Sequence, residues 1–174
     1  MVSKSEMSLR FGLFRIAQCV VLSLVLFRVD AQILRESLDG EEWKELEIRL
    51  PQFPKPENLI ATQILGLTGF TFLVDDNSID VGQDGVVRFV VVARSAGGAE
   101  NINFEGIRCS TRERKLYAVG RAGGTWFSLK APEWVKFQAS GVNSYHDSLA
   151  RQYFCVERTP VLNSAKVIEL LKKR

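Results

Sequence analysis

Residues 78–109 constrain the possible fold more than any other stretch of the sequence. They include the run VVRFVVVAR at 86–94, whose β-branched residues favour extended backbone and which is apolar on both faces except at its two arginines. The segment SAGGAE then provides a glycine-rich reversal, and residues 101–109 alternate between apolar and polar side chains. The stretch therefore predicts a β-hairpin at the centre of an antiparallel sheet.

Further strand-like segments flank this hairpin on both sides. Pro51, Pro54 and Pro56 hold the chain between two of them extended, because proline fixes φ and cannot donate to a β-ladder. Tight turns are predicted at 66–69, 75–78 and 122–123 from their glycine, Asx and serine content. The strands predicted outside the hairpin are 46–50, 57–65, 70–74, 115–120 and 124–129.

Helical patterns occur at the end of the chain. Tyr145, Leu149 and Tyr153 recur every four residues, which is typical of a helix that packs on a sheet. Thr159 and Pro160 then predict the start of a second amphipathic helix over residues 161–173. Strands first and helices last favour an α+β fold, with a mainly antiparallel sheet and two C-terminal helices packed on it.

The first 31 residues have the pattern of an export signal. Lys4, Arg10 and Arg15 form a basic start, and residues 16–27 are apolar but too short to span a bilayer comfortably. We expect cleavage after Ala31, which leaves residues 32–174 as a single domain in the periplasm that meets the membrane only during export. The alternative is an anchor helix that is not cleaved.

The charge that remains after cleavage argues against nucleic acid as a partner. Residues 1–31 hold four of the 23 basic and two of the 20 acidic residues, which leaves 19 minus 18, a net charge of +1. Nucleic-acid binders normally carry a strong basic excess. The predicted partner is instead an unknown envelope protein or ligand.

Cys109 and Cys155 are the two cysteines that remain after cleavage. In an oxidising compartment an even pair predicts one disulfide, worth about 4 kcal/mol in the chain-entropy model. A redox-active pair or a metal site is the alternative, although there is no Cys-x-x-Cys and a single histidine completes a zinc shell poorly. No metal site and no cofactor is predicted.

Several segments, in this order, resemble the cryptic neisserial protein family. They are DVGQDGVVRFVVVARSAGGAENINFEGIRC at 80–109, KLYAVG at 115–120, Trp126 and YFC at 153–155. The resemblance extends from about Trp43 to the C-terminal helix. It implies an exported envelope protein of Gram-negative bacteria, with a cysteine pair at Cys109 and Cys155 and no established reaction.

Charged residues inside the apolar strands are the first candidates for a binding site. Arg88, Arg94 and Glu105 must be paired or hydrated there, because an isolated buried charge is costly. One interpretation is an internal Arg–Glu pair. The other is a basic groove that binds an acidic glycan, a lipid head group or a peptide. The arginines that would extend this groove are Arg108, Arg112 and Arg121.

Aromatic residues are a second group of candidates. They are candidates for the lining of a sugar-binding or peptide-binding cleft between the last hairpin and the helix, although such residues more often belong to a core. The candidates are Trp126, Phe127, Trp134, Phe137, Tyr145 and Tyr153. A module of this kind would act by binding. A variant of the same idea is an assembly factor that presents a sheet edge to a partner strand.

Catalytic signatures are weak. His146, the single histidine, precedes Asp147 directly, and adjacent helix residues diverge by about 100°, so we interpret it as a helix residue half-packed on the sheet. The HExxH, GxSxG and Walker patterns are missing. The sequence therefore favours a binding or structural module without catalytic residues. The alternative is an enzyme that acts on envelope glycans through carboxylates such as Asp80 and Glu105.

Overall fold

The computed structural model describes residues 42–64, 67, 69–138 and 140–173. By its internal contacts the chain divides into Met1–Trp43 and Lys44–Arg174, and every element below belongs to the second unit. The predicted export signal lies outside the described residues. Among the residues that are described, no helix is both long and apolar enough to cross a membrane.

One antiparallel sheet forms the centre of this unit, and its main strands are ordered as they are in the sequence. The short β7 also pairs with β5, beside β6. Such a meander needs only short reversals between neighbouring strands. The strands are β1 Leu59–Thr62, β2 Phe70–Val81, β3 Val86–Ser95, β4 Glu100–Arg108, β5 Glu113–Arg121, β6 Thr125–Ser128 and β7 Val135–Lys136.

Two helical segments follow the sheet, which confirms the predicted α+β class. Helix α1, Tyr145–Leu149, continues as a π-helical turn over Ala150–Phe154. A short hairpin of β8, Cys155–Val156, and β9, Thr159–Pro160, leads to helix α2, Ser164–Lys172.

Helix α2 begins later than the sequence predicts. The prediction placed its start at Thr159 and Pro160, but these residues pair with β8. The helix begins after Asn163, whose side chain accepts a hydrogen bond from the backbone N–H of Lys166 at 3.0 Å. Asparagine is among the strongest N-cap residues, so the helix starts where its first turn is capped.

The predicted central hairpin is confirmed as β3 and β4. Phe89 pairs with Glu105, and Val90 pairs with Phe104. Because side chains alternate along a strand, Phe89 and Glu105 share the face that carries the helices, whereas Val90 and Phe104 lie on the opposite face. The core on the helix face is the larger of the two.

The opposite face is covered by residues 44–54, which we call the strap. Ile48 packs against the small core of this face, and Trp126 Nε1 donates to the Pro51 carbonyl at 2.9 Å. The predicted strand at 46–50 is wrong. Leu46 and Leu50 are 48% and 46% exposed, and the Leu46 N–H donates to the Asp84 carboxylate rather than to a neighbouring strand.

The turn predicted at 75–78 is also wrong, because β2 continues through it with a bulge. Asp75 pairs with Val90 but Asp80 pairs with Arg88, so β2 has extra residues opposite Phe89. Ser78 Oγ accepts a hydrogen bond from the Val90 N–H at 2.8 Å and donates to the Asp75 carbonyl at 2.7 Å. The polar side chains expected to reverse the chain instead stabilise a bulge.

The predicted disulfide is present. Cys109 follows β4 and Cys155 follows the π-helical turn, and the two are bonded with their Cα atoms 5.8 Å apart. The bond ties the end of the central hairpin to the segment between the two helices.

Candidate functional site

A pocket of about 340 Å³ opens next to this disulfide, where β4 leads into β5. We call it the basic pocket. Four of its eight lining residues are cationic and one is acidic. The lining residues are Thr111, Arg112, Lys136, Phe137, Gln138, Asp147, Arg151 and Arg158. A pocket with this excess of positive charge attracts anions.

Three separate parts of the chain provide the cations. Arg112 lies in the turn before β5, Lys136 in β7, and Arg151 and Arg158 in the C-terminal part. Arg112 has a φ of +57°, a left-handed conformation that costs a residue other than glycine about 1 kcal/mol. The turn adopts this conformation despite its cost, and the conformation places the Arg112 guanidinium at the pocket.

Asp147 organises two of these cations. It forms an ion pair with Arg112 and another with Arg151 at 2.8 Å, within one turn of the helix. The Arg112 guanidinium also lies 5.8 Å from the centre of the Phe137 ring. Ion pairs this exposed contribute little to stability, so their main effect is to orient the guanidinium groups.

The disulfide positions the remaining wall of the basic pocket, which includes Arg158. Arg158 follows Cys155 by three residues, and it donates from Nη1 to the carbonyl of Ser110, which directly follows Cys109, at 3.0 Å. Lys136 Nζ donates to the Thr111 carbonyl at 2.9 Å. Each cation uses part of its hydrogen-bonding capacity on the protein, and a guanidinium has five N–H donors.

A buried charged pair holds the helix that carries Asp147. Glu105 Oε2 lies 2.7 Å from His146 Nε2, and each side chain is only 2% exposed. Glu105 Oε1 accepts hydrogen bonds from the Tyr145 hydroxyl at 2.8 Å and from Asn103 Nδ2 at 3.1 Å. His146 Nδ1 lies 2.7 Å from the Asn143 carbonyl oxygen.

The contacts of Glu105 favour its ionised form. A carbonyl only accepts, so His146 Nδ1 carries a proton toward Asn143. Burial alone would raise the pKa of Glu105, but the charge and hydrogen bond of His146, together with the Tyr145 hydroxyl, hold that pKa below its ordinary value. Glu105 is therefore a carboxylate, and its Oε2 lies within hydrogen-bonding distance of His146 Nε2.

Tyr145 is affected by the same carboxylate. Burial, and then the negative charge of Glu105, raise the pKa of the Tyr145 hydroxyl well above its ordinary value. The hydroxyl therefore remains a donor. Because Tyr145, His146 and Asp147 are consecutive, the buried contacts of the first two position the third at the pocket.

The expected pairing of Glu105 with Arg88 or Arg94 is wrong. Arg88 lies opposite Gly106, one residue along from Glu105, so it faces the other side of the sheet. Arg88 binds Asp84 instead, with Nη2 and Oδ2 2.5 Å apart. Arg94 pairs with Glu100 at 2.7 Å on the surface. The interpretation of His146 as half-packed is corrected in the same way, since it is fully buried.

The predicted basic groove is only partly present. Arg112 lines the basic pocket, whereas Arg121 lies at the other end of β5, with its guanidinium 4.0 Å from the centre of the Phe127 ring. Sequence reasoning missed Lys136, Arg151 and Arg158, which come from segments with no local signal of a shared site. The one available signal was the predicted disulfide, which brings residues near 109 and 155 together.

The two tryptophans are half-buried against the strap. Trp126 lies 5.2 Å from Phe53, centre to centre, and binds the Pro51 carbonyl. Trp134 Nε1 donates to Glu45 Oε2 at 3.3 Å. Both tryptophans therefore contact the strap and do not line a cleft between the last hairpin and helix α1.

The carboxylates of the enzyme alternative do not come together. Asp80 is exposed and pairs in register with Arg88 on the strap side of the sheet, while Glu105 is buried on the helix side. No group of three or more His, Cys, Asp or Glu side chains within the described part of the chain is placed to hold a metal ion.

The fold and the site define a small disulfide-bonded α+β protein with a cationic pocket at one end of its sheet. A family model described as the CNP1-like family matches residues 38–172, and the chain belongs to this family. Neither the curated proteins nor the solved structures contain a match. The family match carries no statement about export, which stays a prediction.

Proposed function

We propose that the protein is an exported module of the cell envelope that binds an anionic ligand in the basic pocket without catalysing a reaction. The observation that carries this proposal is the convergence of four cationic side chains on one pocket. Residues 32–174 have a net charge of only +1, the difference between 19 basic and 18 acidic residues. The positive charge is thus concentrated at the pocket, since residues 32–174 as a whole are nearly neutral.

The side-chain types indicate which anions fit. Arginine presents a planar set of donors that matches the oxygen pairs of carboxylate and phosphate groups, and the pocket has three arginines. Asp147 repels an anion and already engages Arg112 and Arg151. Lys136 also forms an ion pair, with Glu113 at 3.1 Å. We therefore place the anionic group of the ligand nearest to Arg158.

Binding of uronic acids and phosphates tests this proposal. The probes are inorganic phosphate and trigalacturonic acid, with maltotriose as the uncharged comparison, in isothermal titration calorimetry at low and high salt. Arg158→Gln should weaken binding of the anions at least about tenfold, the effect of one lost charge-assisted hydrogen bond. Salt should weaken it as well, because exposed charges are screened.

Arg121→Gln is the matched control. It removes the same charge from the far end of β5, about 26 Å from the start of that strand at the usual rise per residue. Anion binding should be unchanged in this variant. An equal loss in both variants would show nonspecific attraction, and no binding of either anion would refute the proposed function.

The cellular location is tested separately, by the mass of the recovered protein. Protein recovered gently from the envelope fraction of expressing cells should begin at Gln32 and be two hydrogens lighter than the free thiols. A mass that retains residues 1–31 would show an anchor, and free thiols would contradict an oxidising compartment.

A further inference from the structure

Arg158 gives the basic pocket a cation that a ligand can reach. Its side chain is exposed, and its one hydrogen bond among the described residues is the donation from Nη1 to the Ser110 carbonyl at 3.0 Å. Within the same part of the chain it forms no ion pair. A guanidinium has five N–H donors, so Arg158 retains most of its donors for an anionic group of a ligand.

Asp147 gives the same pocket an accessible acceptor. Its side chain lines the pocket and is 22% exposed. One carboxylate oxygen contacts Arg112 and the other contacts Arg151. A carboxylate accepts about four hydrogen bonds, so lone pairs remain on both oxygens. Because two guanidinium groups compensate its charge, Asp147 suits an uncharged donor such as a hydroxyl rather than a further cation.

The backbone is in an unfavourable conformation next to both of these groups. Arg112 and Glu157 are the two residues other than glycine whose φ is positive within the described part of the chain, each at 57°. Arg112 pairs with Asp147, and Glu157 directly precedes Arg158 in the turn between β8 and β9. Conformations of this kind concentrate at functional sites, where the surrounding structure enforces them. Their position supports a role for the placement of the charged groups at this pocket.

The two groups together define the class of ligand. A volume of about 340 Å³ lies in the range of ligand pockets and exceeds what a single inorganic anion fills. A ligand that fills the pocket meets Arg158 with an anionic group and Asp147 with uncharged hydrogen-bond donors. Phe137 adds apolar surface to the lining, which suits the C–H groups of a ring. A ring that carries both hydroxyls and a carboxylate meets all three requirements.

We propose that the ligand of the basic pocket is a sugar acid, whose carboxylate binds Arg158 and whose ring hydroxyls donate to Asp147. This inference rests on the proposed function, and it narrows the ligand from anions in general to hydroxylated carboxylic acids. Inorganic phosphate meets only the cationic groups of the pocket and therefore binds more weakly.

Galacturonate and cyclohexanecarboxylate test the two contacts separately. Both are six-membered rings with one carboxylate, but only galacturonate carries hydroxyls. In isothermal titration calorimetry with the full protein, galacturonate should bind at least about tenfold more tightly, the effect of one hydrogen bond to a charged group. Arg158→Gln should weaken the binding of both ligands, because both present a carboxylate to Arg158.

Asp147→Asn tests the acceptor. The ratio of the two affinities is measured, because a change in the orientation of Arg112 or Arg151 affects both carboxylates alike. In this variant the preference for galacturonate should fall about tenfold.

Asp76→Asn is the matched control. Asp76 is 21% exposed and, like Asp147, forms an ion pair at the surface, with Lys172 at 3.2 Å, but it lies in β2 and does not line the basic pocket. The preference for galacturonate should be unchanged in this variant. Circular dichroism checks that both variants retain the fold.

Three results would overturn this inference while leaving the proposed function in place. One is galacturonate binding no more tightly than cyclohexanecarboxylate to the unchanged protein, although phosphate or a carboxylate binds. Another is an undiminished preference for galacturonate in Asp147→Asn, and the third is an equal fall of that preference in Asp76→Asn. Binding of none of the three anions would refute the proposed function itself, and this inference with it.

Discussion

Replacing Glu105 with leucine removes the acceptor of two buried donors and one half-buried donor at once. These donors are His146 Nε2 at 2.7 Å, the Tyr145 hydroxyl at 2.8 Å and Asn103 Nδ2 at 3.1 Å. Leucine fills a similar volume, so the change tests the polar contacts rather than a cavity. It leaves His146 Nε2 and the Tyr145 hydroxyl without this acceptor in the core.

The cost follows from the burial of the pair. Removing one partner of a buried salt bridge destabilises a protein by about 3–5 kcal/mol, since the other charge remains in the interior. His146 keeps the hydrogen bond between Nδ1 and the Asn143 carbonyl, which limits this cost. We therefore expect a loss of about 3 kcal/mol, a large share of the 5–15 kcal/mol typical of a domain.

Urea unfolding at neutral pH, followed by circular dichroism, measures this loss. Glu100→Leu is the matched control, because Glu100 lies in the same strand but its ion pair with Arg94 is exposed. Exposed pairs contribute about 1 kcal/mol or less, so the control should change little. The double variant Glu105→Leu with His146→Phe should recover much of the stability, because two apolar groups replace two charges.

Two results would refute this reasoning. One is a loss for Glu105→Leu no greater than that for Glu100→Leu. The other is a double variant that is less stable than Glu105→Leu alone, which would show that His146 does not depend on Glu105.

The remaining predictions concern pH, the disulfide and one glycine. Folding lowers the pKa of Glu105. The stability that Glu105 contributes is therefore complete above its unfolded pKa, near 4.5, and is lost as pH falls through the folded pKa. Glu105→Gln should make the free energy of unfolding depend less on pH in the acid range. Replacing Cys109 and Cys155 with alanine should cost up to about 4 kcal/mol in urea unfolding and weaken anion binding in calorimetry. Gly106→Ala should cost about 1–3 kcal/mol in the same unfolding assay, because its Cβ would lie 2.4 Å from the Tyr117 hydroxyl oxygen.

Each of these predictions has a clear contrary result. If the free energy of unfolding depends on acid pH in the same way in Glu105→Gln and in the unchanged protein, folding does not lower the pKa of Glu105. Unaltered anion affinity without the disulfide would show that the walls of the basic pocket are held by other contacts. A fully stable Gly106→Ala would show that the Tyr117 ring moves aside freely.

The sheet could be predicted because the sequence patterns that define its strands and turns are local. Alternation and glycine turns predict β3 and β4 within a residue or two, since pairing follows directly from neighbours in sequence. The bulge in β2 was not predictable, because the same Asx and serine residues serve turns and bulges equally. The start of helix α2 was misplaced because Thr159 resembles a cap but is held in a strand.

The candidate site was much less predictable. Glu105 and His146 are 41 residues apart, and no periodicity links them. Arg88 was the wrong partner because a shift of one position in a strand turns a side chain to the other face. Besides the predicted disulfide, the usable signal was Glu105 itself, which shares a strand face with Ile107 and Cys109 and so had to be buried with a partner.

The strap has a consequence for the order in which the protein assembles. Strands β1 to β6 pair with their sequence neighbours. The strap is instead held by contacts such as Glu45 with Lys115 and Pro51 with Trp126, which are 70 and 75 residues apart. Local contacts form before distant ones. We therefore expect the sheet to form before the strap docks on it. We also expect the strap to detach while the sheet stays intact, which would uncover the apolar face that it covers.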